Sequence, residues 1–213
     1  MDCELQPGKE MRRTGYLALA AAAVYCAATA AGSVLDRSYS QLARPVSDLT
    51  AIGAPTRAAL IAPYVLYNIL CFAFAVGVHR ESDRSRLFKV GFALLTLNAI
   101  AGLMMVTCFP EDLGGVVTAT GKGHVACAVI SSASVVALAF VFGFAFRRMP
   151  EWRRLSVFSM AVGIGFAVLG PIAAFAIASK SPLGGLAERG PIGLFILWLL
   201  VTGGHAAGIR RPE

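Results

Sequence analysis

The chain has 213 residues, is 57% hydrophobic and only 15% charged, and carries a net charge of +7. Soluble domains usually hold ~25% charged residues, so an ordinary soluble fold is excluded, and the short connections leave no room for a separate soluble domain. The positive charge does not mark a nucleic-acid partner, because the basic residues are sorted along the chain in a way that reports membrane topology.

Six apolar stretches, at 15–35, 58–78, 87–109, 123–146, 155–178 and 191–208, are separated by charged or Pro/Gly-rich segments. A helix of about 20 apolar residues crosses the hydrocarbon core of a bilayer. Backbone amides cannot stay unpaired in lipid, so such stretches must be helical. The predicted fold is all-α, a polytopic integral membrane protein with six transmembrane helices. Residues 1–14 form a cytoplasmic N-terminal segment, 15–208 the transmembrane domain and 209–213 a cytoplasmic tail.

The first stretch follows Arg12 and Arg13 and is dense in alanine, as a signal peptide would be. Its ~21 residues exceed the ~7–15 of a signal's apolar core, and the later spans need a first crossing, so it is expected to be retained. Its alanines, and Gly163, Gly165, Gly170, Gly204 and Gly208 later on, let helices approach closely. Pro63 and Pro171 are expected to kink the second and fifth spans, whereas Pro191 falls at the first turn of the sixth, where proline costs nothing. Asn68 and Asn98, near mid-membrane, either bond to each other's spans or line a polar pocket. Cys3, Cys26, Cys71, Cys108 and Cys127 are an odd and mostly membrane-buried set, which gives no disulfide framework.

Of the 19 basic residues, 13 lie on one side. They are Lys9, Arg12 and Arg13 before the first span; Arg80, Arg84, Arg86 and Lys89 between two and three; Arg147, Arg148, Arg153 and Arg154 between four and five; and Arg210 and Arg211 at the end. The positive-inside rule makes that side cytoplasmic, so the chain is read as N-in/C-in, multi-pass, in the cell (inner) membrane.

The three connections on the other face carry the chemistry. The first, residues 36–56, contains Tyr39, Ser40, Pro45, Ser47 and Asp48; Leu42, Val46, Leu49 and Ile52 recur at helical spacing and predict a short amphipathic helix at the interface, with Ser47 as N-cap. The second holds Phe109, Pro110, Glu111 and Asp112, then Gly114 and Gly115 as a turn, with Gly123 and His124 opening the fourth span. The third runs through Gly184, Gly185, Leu186, Glu188 and Arg189. In this order and six-span layout the chain resembles the bacterial and archaeal "domain of unknown function 998" family, from which it departs at Asp48, where the family pattern often has Glu. The resemblance covers nearly the whole chain and implies a fold and a candidate site, with no established activity.

Three carboxylates, Asp48, Asp112 and Glu188, thus gather on one membrane face with His124 and Arg189. Zinc needs three or four ligands at matched depth, yet His124 and His205 lie at opposite ends of their spans and no HxxxH pair exists. His124, Asp112 and Asp48 stay open as a metal set, but no metal or cofactor is assigned. Acid–base chemistry fits better: a carboxylic acid poorly solvated at the edge of lipid keeps its proton towards neutral pH, and crowded carboxylates divide into acid and base. Asp112, His124, Asp48 and Glu188 are the expected catalytic residues, with Ser47, Arg189 and Tyr39 binding substrate. The expected partners are the lipid bilayer and an apolar small molecule such as a lipid or isoprenoid, with protonation of an alkene or epoxide, as in membrane-bound terpene cyclases, as one concrete reaction. Phe72, Phe74, Phe92, Phe140, Phe144 and Trp198 offer aromatic faces for a cation, although phenylalanine is ordinary in membrane helices. A non-enzymatic transporter or an accessory membrane subunit is the alternative, with no charge at mid-membrane to drive a coupled transporter.

Overall fold

The computed structural model describes residues 8–81, 85–113 and 118–209. Cys3, Arg84, Gly114, Gly115, Arg210 and Arg211 lie outside the described residues. Helices α1 (Lys9–Leu35), α2 (Arg57–Glu81), α3 (Arg86–Thr107), α4 (Ala119–Phe146), α5 (Arg153–Ala178) and α6 (Gly184–Ala206) account for the six apolar stretches. All six are long and apolar enough to cross a membrane. Two short 3₁₀ helices, Val46–Thr50 and Pro150–Trp152, occupy the α1–α2 and α4–α5 links.

Each helix packs on the next, and α6 closes back on α1, so the six form a ring of antiparallel neighbours. Val129, Val157 and Phe175 point outward, well exposed, as residues facing acyl chains must. Leu95, Leu138, Phe142, Trp198 and Leu199 fill the interior. Apolar residues all round each helix are what a membrane span requires, because one side meets lipid and the other the ring interior.

The closing seam is made by small residues. A side chain on Gly15 would collide with the backbone of Gly203 and Ala207, and a Cβ on Gly203 would come within 2.8 Å of the Ala18 methyl. Lipid offers no hydrophobic drive between helices, so close backbone approach is what holds such a seam. Of the glycines expected to do this, Gly163 lies close to Ala139 and Phe140 and Gly165 to Leu194, whereas Gly204 faces open space and Gly170 makes only ordinary contact.

Three further expectations change. The interfacial helix is a single 3₁₀ turn capped by Pro45, with Val46 and Leu49 buried but Leu42 and Ile52 exposed. Ser47 therefore sits inside the turn and does not cap it. Helix α6 begins at Gly184, so Glu188 and Arg189 stand on its first turns and Pro191 lies inside it. Asn68 donates to its own helix at the Tyr64 carbonyl, 2.8 Å away, while Asn98 accepts from Ser131 of α4 at 2.7 Å, so no direct Asn68–Asn98 bond joins α2 to α3.

Candidate functional site

At the end of the ring away from both helix termini α1-N and α6-C, residues 36–56 lie across the mouth. This loop is held by α6. The first backbone N–H groups of a helix have no partner within it; here Gly185 N donates to the Ala43 carbonyl (3.2 Å) and Leu186 N to the Leu42 carbonyl (2.9 Å). A side chain at Gly185 would collide with the Arg44 carbonyl, so glycine is required for the loop to come this close. Capping from outside is why the helix starts seven residues before the proline that marks it in sequence.

Side chains complete the strap. Glu188 Oε2 accepts the Val46 N–H at 2.5 Å. The Tyr39 hydroxyl donates to the Pro45 carbonyl (2.8 Å) and accepts from Arg189 Nη2 (2.7 Å). Arg189 Nη1 donates to the carbonyls of Gly185 (2.9 Å) and Arg44 (3.2 Å). Burial pushes the Tyr39 phenol above its ordinary range. Arg44 then bridges two carboxylates, with Nε 2.9 Å from Asp48 and Nη1 3.3 Å from Asp36. Ser38 bonds Asp36 through its hydroxyl (2.6 Å) and its amide (2.9 Å), which holds that carboxyl below its usual value. The strap's own Val46 and Leu49 pack down onto Leu60, Tyr64 and Val106, which form an apolar floor.

A second group lies where α3 gives way to α4. Asp112 accepts from Thr118 N (2.8 Å) and from its hydroxyl (2.9 Å), and Thr118 in turn caps α4 by accepting Gly121 N at 3.1 Å. A Cβ on Gly121 would strike the Asp112 carboxylate. Asp112 therefore braces the start of α4, where the helix dipole favours negative charge. One residue earlier, Glu111 Oε2 lies 3.0 Å from His124 Nε2, and its backbone carbonyl takes the Ile52 N–H at 3.0 Å. Ser47, on the strap, is near enough to draw the Glu111 carboxyl downward.

The histidine's hydrogens follow from its partners. Its Nδ1 is 2.9 Å from the Phe109 carbonyl, which can only accept, so Nδ1 carries a hydrogen. The contact between Nε2 and Glu111 then holds one shared proton, as carboxylic acid with neutral imidazole or as carboxylate with imidazolium. Burial raises Glu111 above its ordinary range; His124 and Ser47 pull it back, and the nearby Asp48 and Asp112 push it up. The cluster is an acid–base pair ringed by charge.

A family model described as a protein of unknown function, DUF998, matches residues 19–205. The chain belongs to that family. The match takes in the whole strap, the Glu111–His124 pair and the first turns of α6, so the site lies within the DUF998 segment. No curated protein and no solved structure matches the chain.

Of the residues picked from sequence, Asp48, Ser47, Tyr39, Glu188, Arg189, Asp112 and His124 all come to this one end of the ring. Glu111 and Arg44 complete the cluster and were not among them. For Arg44 the signal was its position four before Asp48, the spacing of a side-chain pair on a helix. Glu111 had only its place beside Asp112. Among the described residues no three His, Cys, Asp or Glu side chains group to hold a metal ion. His205 packs edge-on to Trp152 at 4.4 Å, and His79 stacks on Phe92 at 4.6 Å, both far along the ring. The aromatic faces expected here are elsewhere too: Phe74 and Trp198 pair at 6.3 Å in the opposite half, and Phe72 and Phe144 face outward.

Proposed function

We propose that this DUF998 protein is an intramembrane enzyme that moves a proton on or off an apolar lipid or isoprenoid substrate at the extracytoplasmic face of the inner membrane. The observation that carries this reading is the 3.0 Å contact between Glu111 and His124, with Nδ1 pinned to the Phe109 carbonyl. A general acid works best when its proton affinity is near the ambient pH. Glu111 meets that need because burial raises it while His124 keeps it from being locked in the acid form. In the neutral state the Glu111 carboxyl donates to a substrate carbon or oxygen and becomes carboxylate. The Glu111 carboxylate then takes back the proton that the resulting cation sheds at a neighbouring carbon, which restores the proton shared with His124 Nε2, so the pair alternates between acid and base without leaving its hydrogen bonds.

The remaining residues have supporting roles in this reading. Asp112 positions His124 by anchoring the first turn of α4. Asp48 and Glu188 supply the negative surround that stabilises a cationic intermediate, with Arg44 and Arg189 limiting its strength. Tyr39 and Ser47 shape the mouth against the apolar chain of the substrate. Addition of a proton to an alkene or epoxide is the reaction such a site serves most directly.

A second reading, an accessory membrane subunit or a non-enzymatic transporter, draws on a different observation: Glu188, Tyr39 and Arg189 are all engaged with loop backbone, as a structural latch would be. The test is an untargeted lipid and isoprenoid profile of cells lacking the protein, complemented with wild type, Glu111→Gln or His124→Ala at equal expression. A compound pair that inverts with wild type and reverts with both variants upholds the enzyme. Profiles restored equally by both variants hand the case to the latch.

A further inference from the structure

Opposite the acidic cluster, at the end of the ring where α1 begins and α6 ends, the helices enclose a cavity of about 150 Å³. Its wall is aromatic, built from Phe74, Phe88, Phe142, Phe146, Trp152 and Trp198. Phe142 is central, with ring centroids 5.4 Å from Trp198, 5.5 Å from Phe146 and 6.0 Å from Phe88. Two polar groups deep in this wall are satisfied within the protein: Trp198 Nε1 donates to Ser159 at 3.0 Å, and Thr202 donates to the Trp198 carbonyl at 2.5 Å. Deeper than Glu81, this lining gives water little to bond. A dry apolar cavity of about 150 Å³ accepts a benzene-sized guest, and leaving it empty forfeits packing.

Towards the open end the lining changes. Met11, Glu81 and Met149 are the less buried residues there. Each stands next to an exposed arginine, Arg12, Arg80 and Arg148, and Arg147 and Arg153 add to the same end. Among the described residues at this end the acids are Glu10, which is taken by Arg13 at 2.9 Å, Glu151, and Glu81 in the lining itself, and the arginines outnumber them. The result is an apolar hole inside a positive collar, placed where the ring meets the membrane surface. A neutral hydrocarbon would use the hole and not the collar; a cation would be repelled by the collar.

We propose that the cavity binds the hydrocarbon end of a small anionic amphiphile, a single alkyl or prenyl chain whose carboxylate or phosphate head rests among the arginines. The collar draws the head by charge and the rings bury the chain by removing apolar surface from water. This site is independent of the Glu111–His124 pair and stands whether or not that pair is catalytic.

Both tryptophans of the chain line the cavity, so intrinsic fluorescence reads its occupancy. Full-length protein in phosphatidylcholine nanodiscs is titrated with terminally brominated octanoate, octanol and octyltrimethylammonium, the bromine quenching a tryptophan it touches. The expected result is saturable quenching by the octanoate at a concentration at least tenfold below either other head. Val78→Phe, which fills the cavity, removes the saturable component, and Ala206→Leu does the same from the facing helix if the first variant fails to fold. Arg80→Gln with Arg148→Gln leaves the alcohol unchanged and erases the advantage of the anion. Brominated octyl phosphate, run alongside, separates the two head groups, and a preference for either upholds the proposal. Equal, non-saturating quenching by all heads, or saturable quenching that survives both filling variants, overturns it.

Discussion

Glu111 and His124 meet at 3.0 Å across the α3–α4 junction, and the histidine's other nitrogen is fixed to the Phe109 carbonyl that precedes the same turn. One element thus supplies both the acid and the group that sets its partner's tautomer. Glu111→Gln keeps a donor towards Nε2 but removes the titrating group. Product formation is expected to fall by on the order of a hundredfold or more, as for loss of a general acid, with the melting temperature little changed. Equal product levels for the two proteins would refute the catalytic assignment.

Asp112 is predicted to act through structure. Asp112→Ala removes the acceptor for the Thr118 amide and hydroxyl and is expected to cost ~1–2 kcal/mol, the scale of a lost helix cap. The check is hydrogen exchange in the first turn of α4, which should rise, alongside thermal unfolding in detergent. Asp112→Asn, which retains an acceptor oxygen, should recover much of the loss.

Gly185→Ala places a methyl against the Arg44 carbonyl. The strap must shift, at about 1–3 kcal/mol by the usual cost of overpacking. Limited proteolysis within residues 36–56 should become faster while the helices stay intact. An unchanged cleavage rate would mean the loop is not held by α6.

The acid range separates two carboxyls of opposite sign. Asp36 is lowered below 3.8 chiefly by its Ser38 bond, so its contribution is present above that value and is lost as pH falls through its folded value. Glu111 is raised above 4.5 by burial, so its contribution is full below 4.5 and is lost as pH rises through its folded value. Melting temperature against pH should lose its lowest-pH decline in Asp36→Asn, and its decline above 4.5 should shrink in Glu111→Gln.

Cys108 ends α3 and is exposed, which makes it a reporter for the N-in/C-in orientation. In a Cys3→Ser background, a membrane-impermeant maleimide added to intact cells should label the protein, and Cys108→Ser should abolish labelling. Labelling only after the cells are broken would reverse the orientation.

Tyr39, Asp48, Glu188 and Arg189 could be grouped before any coordinates because they follow or precede apolar runs whose lengths allow only one alternation across a bilayer. The start of α6 was not accessible in the same way. Gly184 and Gly185 read locally as a turn, and they become helix because carbonyls of Ala43 and Leu42, far off in the chain, accept the N–H groups of Gly185 and Leu186. Glu111 does not stand out as a site residue for a related reason. Nothing in its own neighbourhood distinguishes it from Asp112, and only the register of α4 turns His124 towards one and leaves the helix start to the other.

The membrane habit, the six helices and their alternation follow from composition alone, since apolar runs of that length have one way to satisfy their backbone in lipid. Pairing obeys different physics. The partners of a carboxylate, the glycine that closes a seam and the rings that wall a cavity depend on how segments distant in sequence rotate and slide against one another. That choice is set by close packing around the ring, which no local window of residues contains.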